Sequence, residues 1–437
     1  MRRLLLALMT ARGFALRARG FALRARGLAL RARGFALRVR GLGLRAPHSA
    51  LPAIGLALLA IGLPPASAQE LVLGFSYPKT GRYSSIAAVD VAADIAVAEI
   101  NAAGGVNGRK LRLEKFDTAS EAKNAQVAVQ RFAEDTGALA IIGPLSSQEA
   151  QVAFAASERL EIVQMSYSAT APGLTAGKKW AWRVVEDEGK QFARLLQSLE
   201  RKHVVAEKTS VVIYPSDEFV GKALAGWMPK LLDANGWKQV IPPEGYLTND
   251  ADLSPHITKL QGRSPAVVAF AGLPGGAAKV MREVRRQGHK SIMIGAQVMA
   301  DPDVVNLLGP DGEGTIYVSW YWWDASDRTR AFEKKFLEET KKRGLSKAGA
   351  HHIDAASYDI VYVLAAAMKR AGVTGEASTL KRDRNAVREA LAATTLTGVS
   401  GDICFDKDDD AELAAYVIGV KDGKRYLVDS HPSDKCN

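Results

Sequence analysis

The chain has 437 residues, of which 47% are hydrophobic and 24% are charged, and it contains only two cysteines. This length predicts two or three compact units, and the composition excludes a disordered chain and a disulfide-dense scaffold. The net charge of +11 belongs to the N-terminus, because residues 1–68 carry 12 Arg and no Lys, Asp or Glu, which leaves 46 basic and 47 acidic residues elsewhere. The overall charge is therefore no argument for a nucleic-acid partner.

The N-terminal segment is predicted to be a secretory signal peptide that is removed. Residues 11–45 repeat an Arg-rich heptad, residues 51–63 are uncharged and largely apolar, and the small residues of 66–68 (Ala-Ser-Ala) follow. A basic region, a short apolar region and a small-residue cleavage site are the parts of such a peptide. We expect cleavage after Ala68 and export to the periplasm. The alternative, a basic arm that binds nucleic acid, would not need the apolar run.

From residue 70 onward, short β-rich runs alternate with helical patterns in two series. The first series has strands at 71–76, 111–116, 138–142 and 162–166, and helices at 86–100, 121–134 and 148–159. The second series has strands at 210–214, 239–241, 266–271 and 292–294, and helices at 219–234, 256–261 and 277–286. This alternation predicts an α/β fold of two doubly wound lobes, each a parallel sheet covered by helices.

Residues 328–371 are predicted to be mostly helical, and residues 402–428 to form short strands. Three short extended passages, Trp180–Glu186, Ile316–Trp323 and Leu396–Ile403, are the expected hinge crossings between the lobes. One lobe would then contain residues 69–186 and 324–398, and the other residues 187–323 and 399–437.

The usual catalytic motifs G-x-S-x-G, H-E-x-x-H and C-x-x-C do not occur in the sequence, so we expect a protein that is not an enzyme and needs no cofactor or metal. His351 and His352 are adjacent, and side chains so placed on a helix point about 100° apart, so they cannot hold one metal together. We expect them to be solvated at a helix start. The acidic run Asp406–Asp410 is expected to be a charged turn between strands rather than a cation site.

Two loops follow predicted strands, where doubly wound sheets bind ligands. In the first loop, Ser146 and Glu149 form a capping-box pattern, which leaves the Ser147 hydroxyl and free amide groups to face a cleft. The second loop, Ser166–Pro172, repeats the design with small hydroxyl residues. A helix N-terminus favours an anion such as a carboxylate. Each loop alone could be only a helix cap, but two in consecutive units favour a shared anion site.

With these loops in place, the chain resembles the leucine/isoleucine/valine-binding protein family, the type I periplasmic solute-binding proteins of branched-chain amino acid ABC transporters. The resemblance covers residues 70–430, and it rests on residues 98–108 (AEINAAGGVNG), 141–147 (IIGPLSS), 168–170 (SAT), 182–183 (WR) and 356–362 (ASYDIVY). It implies a monomer whose two lobes close on a small solute and present it to a membrane permease. A ligand sensor or amide-binding regulator of the same fold is the alternative, and an exported enzyme is a weaker one.

The resemblance also implies which residues bind the solute. The position of Ser147 holds the carboxylate, those of Ser168, Ala169 and Thr170 add contacts to the carboxylate and the α-amine, and Phe219 covers the ligand from the second lobe.

One position departs from the pattern of amino-acid-binding members. Where they carry a Glu that pairs with the α-ammonium, this chain has Gln297. An ammonium buried without a counter-ion is costly, and relatives altered here take aromatic acids, amides or other carboxylates. Tyr77, Tyr83, Tyr167 and Phe219 could line such a pocket, and ordinary packing is the alternative for each of them.

Two further features concern the hinge and the C-terminus. Residues 320–323 (WYWW) are expected either to pack the second crossing or to lend one ring to the cleft. Cys404 and Cys436 are an even pair in an exported chain, so we expect them to form a disulfide.

Overall fold

A computed structural model describes residues 69–433, which belong to one compact unit. The predicted signal peptide and Cys436 lie outside the described residues. The strands are β1 (Leu71–Tyr77), β2 (Leu111–Asp117), β3 (Ala140–Ile142), β4 (Val163–Ser166), β5 (Ala181–Arg183), β6 (Thr209–Pro215), β7 (Lys238–Gln239), β8 (Glu244–Tyr246), β9 (Val267–Phe270), β10 (Ile292–Gly295), β11 (Ile316–Ser319), β12 (Leu396–Thr397), β13 (Asp402–Phe405), β14 (Ala411–Glu412), β15 (Ala415–Lys421) and β16 (Lys424–His431).

Most of the βα alternation predicted from the sequence is present. The helices are α1 (Val89–Ala102), α2 (Ala122–Glu134), α3 (Ser147–Leu160), α4 (Glu188–Arg201), α5 (Phe219–Ala234), α6 (Ser254–Thr258), α7 (Pro274–Arg286), α8 (Val304–Leu308), α9 (Asp327–Lys342), α10 (His352–Ala371) and α11 (Leu380–Leu391). Short 3-10 helices occupy Gln297–Met299 and Gly309–Gly312. Among the described residues, none of the helices has the length and apolar character needed to cross a membrane.

The first lobe is built on a five-stranded parallel sheet in the order β2-β1-β3-β4-β5. Leu71, Leu73 and Phe75 on β1 are fully buried, and they share one core with residues of α1 and of the returning helices α9 and α10. Alternate residues of a strand face the same side, so this spacing of two places all three in the core. The first lobe is therefore completed by helices that come from much later in the chain.

The second lobe is built on a larger mixed sheet. Its order is β16-β15-β11-β10-β9-β6-β7, and β8 pairs with β6. Strands β6 to β11 are parallel, whereas β15 and β16 form an antiparallel hairpin that adds to β11. The fold is thus the predicted α/β arrangement of two doubly wound lobes.

The chain crosses between the lobes three times, after β5, after β11 and after β14. The first two crossings follow the predicted passages, but the third lies later. Val399 and Ile403 are buried in the core of the first lobe, because β12, β13 and β14 form a small antiparallel sheet attached to it. The expected lobe boundary at residue 399 therefore moves to residues 413–414, just before β15 enters the second sheet.

Candidate ligand-binding site

A cavity of about 210 Å³ lies between the two lobes, and we call it the interlobe cavity. Many of its lining residues follow the carboxyl ends of strands in both sheets. From the first lobe they include Tyr83, Leu145, Ser147, Ser168, Thr170 and His351, and from the second they include Glu188, Phe219, Trp227, Leu273, Gln297 and Val298. Most of the lining is apolar, with a few polar groups, which is the usual composition of a site for a small molecule.

The first predicted loop positions Ser147 at the start of α3. The Ser146 hydroxyl accepts a hydrogen bond from the Glu149 amide at 3.2 Å, and the Ser146 amide donates to the Glu149 carboxylate at 3.0 Å, so the expected capping box is present. Gly143 turns the chain with φ of 100°, and a Cβ there would lie 2.2 Å from the Ser76 carbonyl oxygen. A residue with a side chain would therefore displace the loop that carries Ser147.

The second predicted loop contacts the first directly. The Ala171 amide donates to the Ser147 hydroxyl at 3.2 Å, which leaves the Ser147 O–H free to donate to a ligand. Ser166, at the end of β4, donates to the Pro144 carbonyl at 2.8 Å and accepts from the Ala169 amide at 2.9 Å. One buried hydroxyl therefore fixes the two loops relative to each other. The sequence signal for Ser166 was its place at the strand end, but its bridging role depends on the pairing of β3 with β4.

A buried ion pair supports the second loop from behind. The Arg183 guanidinium donates to the carbonyl oxygens of Ala169 and Ala171, both at 2.9 Å, and it also pairs with the Asp410 carboxylate. Asp410 is buried and accepts a further hydrogen bond from the Thr175 hydroxyl at 2.6 Å. The run Asp406–Asp410 is the expected charged turn between strands, here β13 and β14, and its last residue is drawn into the protein by Arg183.

Glu188 is a polar residue of the cavity that the sequence analysis missed. It is the first residue of α4 and is only 7% exposed. Its Oε2 accepts a long hydrogen bond of 3.4 Å from the Thr170 hydroxyl, and its Oε1 has no hydrogen-bond partner. Burial raises the pKa of this carboxyl to about 8; the hydrogen bond from Thr170 opposes the rise and the nearby Asp187 charge adds to it. Its position directly after the first hinge crossing was the signal that could have identified it.

His351 and His352 also line the cavity, and the expectation that they are solvated is wrong. They are 4% and 3% exposed, because α10 begins inside the first lobe, where Trp320 packs against the His352 ring with centroids 4.0 Å apart. The His351 Nδ1 accepts from the Ile353 amide at 3.3 Å, and its Nε2 has no partner. Desolvation lowers the pKa of His351 to about 3 and that of His352 well below its usual value, so both rings are neutral near pH 7.

The second lobe contributes one face of α5 and one 3-10 helix. Phe219, Ala223 and Trp227 lie four residues apart on α5, so they share the face that lines the cavity. Phe219 is 46% exposed. Gln297 is buried on the 3-10 helix after β10, and its Oε1 has no partner.

Three of the candidate residues do not line the cavity. Ala169 is fully buried in a small apolar cluster under its loop, while its neighbours Ser168 and Thr170 face the cavity. Tyr77 ends β1 and packs against Phe75, with ring centroids 5.2 Å apart. Tyr167 is likewise fully buried, and its hydroxyl donates to the Ser76 carbonyl at 3.2 Å. For Tyr77 and Tyr167 the alternative of ordinary packing is the one observed, whereas Tyr83 lines the cavity.

The four aromatic residues at 320–323 pack the second crossing. The Trp320 indole donates to the His352 carbonyl at 3.1 Å, the Tyr321 hydroxyl donates to Glu333 at 2.9 Å, and the Trp322 and Trp323 rings lie 5.9 Å apart. They lie outside the cavity lining, but Trp320 supports His352, which belongs to it. Cys404 lies on β13 and is not a free thiol. Because Cys436 is outside the described residues, the Cys404–Cys436 disulfide stays a prediction.

Within residues 69–433, no group of three or more His, Cys, Asp or Glu side chains is arranged to hold a metal ion. Residues 70–425 match the family model described as "Periplasmic binding protein". The chain belongs to the periplasmic binding protein family. Membership implies a periplasmic location and a solute-binding role rather than an enzymatic one, and the resemblance noted in the sequence is confirmed.

Relatives and solved structures agree with this assignment. An "Amino acid binding protein" of Pseudomonas aeruginosa is 28% identical over 360 residues, which cover 81% of this chain and 91% of that protein. The "Leucine-, isoleucine-, valine-, threonine-, and alanine-binding protein" of the same organism is 25% identical over 359 residues, covering 80% and 90%. The crystal structure of a branched-chain amino acid transporter substrate-binding protein from Streptococcus pneumoniae, in complex with isoleucine, matches this periplasmic binding protein with a TM-score of 0.69. Its 21% sequence identity, over 83% of this chain and 99% of that one, shows the fold.

Proposed function

We propose that this protein captures a small carboxylate-bearing solute in the interlobe cavity and delivers it to the permease of an ABC transporter. The contact between the two hydroxyl-bearing loops carries this proposal. Ser147 and Ser168 line the cavity, and Ser147 is the first residue of α3, so a carboxylate there would be favoured by N–H and O–H donors and by the helix dipole. Branched-chain or other amino acids and aromatic acids all carry such a group.

Capture is proposed to involve a hinge movement of the two lobes. A solute bound at Ser147 contacts the second lobe through Phe219 and Trp227 only when the cleft is closed, so it stabilises the closed form. The similar proteins named above bind amino acids, which supports this substrate class for the present chain. We further propose that the mature protein begins at Gln69 after cleavage of the signal peptide and acts as a monomer.

A ligand panel tests the proposal. Thermal unfolding of the mature chain is measured with branched-chain amino acids, aromatic acids, dicarboxylates and amides. A ligand present at about 100 times its Kd adds about 2.7 kcal/mol to the free energy of unfolding, which raises Tm by several degrees. A response to one carboxylate class supports the proposal. A response to amides alone would instead favour the amide-binding regulator of the same fold.

A further inference from the structure

The interlobe cavity contains a buried carboxyl group that has no cationic partner among the described residues. Glu188 is 7% exposed and lines the cavity, and its Oε1 has no hydrogen-bond partner. Among the described residues, its side chain has one hydrogen bond, which it accepts from the Thr170 hydroxyl at 3.4 Å. The neighbouring Glu186, in contrast, is held by Arg194 at 2.9 and 3.0 Å. A buried carboxylate without a cation is costly, so Glu188 is poorly explained as a structural residue.

Hydrogen bonds connect Glu188 to Ser147, where the carboxylate of the solute is proposed to bind. Ser147 accepts from the Ala171 amide, Ala171 follows Thr170 in the chain, and Thr170 contacts Glu188 through both its hydroxyl and its carbonyl. Ser147, which is proposed to bind the anion, is therefore linked to Glu188 by hydrogen bonds through two consecutive residues, Ala171 and Thr170. An α-amino acid carries its carboxylate and its ammonium on one carbon, so it needs an anion site and a cation site that are close neighbours.

We infer that Glu188 is the counter-ion for the ammonium group of an α-amino acid with an apolar side chain, taking over the role for which Gln297 has no charge. This inference rests on the proposed function, since it places the carboxylate at Ser147. The unpartnered Oε1 of Gln297 is a second acceptor for the ammonium, and α4 packs against the 3-10 helix that carries it. The apolar face of α5 and the side chains of Leu145 and Val298 are left for an apolar side chain.

The protonation of Glu188 gives the inference a distinctive readout. Burial raises the pKa of Glu188 to about 8, and an ammonium ligand requires the ionised form, so binding near pH 7 releases a proton and affinity increases toward pH 8.5. The other titratable side chains that line the cavity are Tyr83, His351 and His352, and Asp187 is the charged neighbour of Glu188. Neither histidine carries a charge near pH 7, so neither supplies a cation that would replace the ligand.

The test compares leucine with 4-methylpentanoate, which differs from leucine only by lacking the amine. In titration calorimetry, Glu188→Gln is expected to weaken leucine binding about tenfold or more, since the buried ammonium loses its charged partner, and to leave 4-methylpentanoate binding unreduced. The wild-type protein is expected to release a proton on binding leucine at pH 7, measured in two buffers of different ionisation enthalpy, and Glu188→Gln to abolish that release. Adding Gln297→Glu to Glu188→Gln is expected to restore leucine binding, which excludes misfolding as the cause.

The outcomes of this test separate the inference from the function on which it rests. If Ser147→Ala weakens binding of both ligands but Glu188→Gln leaves their affinity ratio unchanged, the carboxylate site stands and the role of Glu188 is wrong. The role of Glu188 is also wrong if wild-type affinity for 4-methylpentanoate exceeds that for leucine and falls as pH rises, because Glu188 would then act as a neutral donor. If neither of these two ligands binds but an aromatic acid of the panel does, the role of Glu188 is wrong and the proposed function stands. If no carboxylate of the panel binds, the proposed function itself fails.

Discussion

Arg183 and Asp410 form a buried ion pair between residues 227 positions apart, which joins the last strand of the first sheet to the segment just before the third crossing. Because the same guanidinium holds the carbonyl groups of Ala169 and Ala171, the pair also fixes a loop of the interlobe cavity. Removing one partner leaves an uncompensated charge in the protein interior.

We therefore expect Asp410→Ala to lower the free energy of unfolding by about 3–5 kcal/mol, as found when one partner of a buried pair is removed. Chemical denaturation measures this change. Lys342→Ala is the matched control, because it breaks an exposed pair with Glu339 and is expected to cost under about 1 kcal/mol. Equal losses in the two variants would mean that the Arg183–Asp410 pair adds nothing to stability.

The Ser147 hydroxyl is expected to bind the solute carboxylate. Ser147→Ala should weaken binding by about 1–3 kcal/mol, because a charge-assisted hydrogen bond is lost. Titration calorimetry with the best ligand of the panel measures the effect. Ser326→Ala is the control, since Ser326 caps α9 outside the cavity lining, and it should reduce stability without altering affinity. An unchanged Kd for Ser147→Ala would show that the carboxylate binds elsewhere.

Phe219 offers a test of the second lobe. Its side chain is 46% exposed and lines the cavity, so Phe219→Ala should weaken ligand binding by about 1–3 kcal/mol through lost apolar contact and change stability little. Leu307 is 47% exposed on α8, outside the cavity lining, which makes Leu307→Ala a suitable control. If both variants bind with the wild-type Kd, the second lobe does not close over the solute through this face.

Burial of His351 predicts a pH dependence of stability. The pKa of His351 is lowered to about 3 in the folded protein, so below the unfolded value of about 6.5 the unfolded chain binds more protons. The stabilisation is complete above pH 6.5 and is lost as pH falls toward 3. By pH 5 the loss from this residue should approach about 2 kcal/mol.

His351→Asn isolates this contribution, because Asn is a good helix cap and does not titrate. Denaturation curves between pH 7 and pH 5 should show a smaller loss for the variant than for the wild-type protein. The comparison between the two proteins matters because buried carboxyls with raised pKa values, such as Asp354 with a pKa of about 7, change stability with pH in the opposite direction. Parallel pH profiles would contradict the burial of a neutral His351.

The predicted disulfide between Cys404 and Cys436 can be tested by thiol titration. The denatured, unreduced protein should show no reactive thiol, and reduction should release two. Closing the segment between them should stabilise the fold by about 3–4 kcal/mol on the chain-entropy estimate, so reduction should lower Tm. Two reactive thiols in the unreduced protein would refute the pairing.

The sequence predicted those elements whose structure depends on interactions between residues that are close together in the chain. The apolar alternation at Leu71–Phe75 predicted β1, and the Ser146–Glu149 spacing predicted the capping box that orients Ser147. The short strand β8 was missed because Glu244–Tyr246 has little apolar pattern and is a strand only through its pairing with β6. The resemblance then identified Phe219 and Gln297, which no local pattern marks as cavity residues.

The remaining features depend on contacts between distant parts of the chain. Glu188, His351 and Asp410 carry charge or polarity that predicts exposure, yet all three are buried. Glu188 meets the loop that carries Thr170, His351 begins α10 against the core of the first lobe, and Asp410 pairs with Arg183. Hydropathy and spacing along the sequence do not indicate such contacts. Tyr77 is absent from the cavity lining, and its ring instead packs against that of Phe75, two residues earlier on β1.

The third crossing has a consequence for the order in which the chain can reach its final state. The hairpin of β15 and β16 is synthesised after every segment of the first lobe. Until it pairs with β11, that strand presents a row of unpaired N–H and C=O groups. Bare sheet edges recruit other chains. A chain truncated before residue 415 would therefore contain every residue of the first lobe, but β11 would be an unpaired edge strand of the second sheet. Its expected defect is aggregation through that edge, in addition to any loss of affinity.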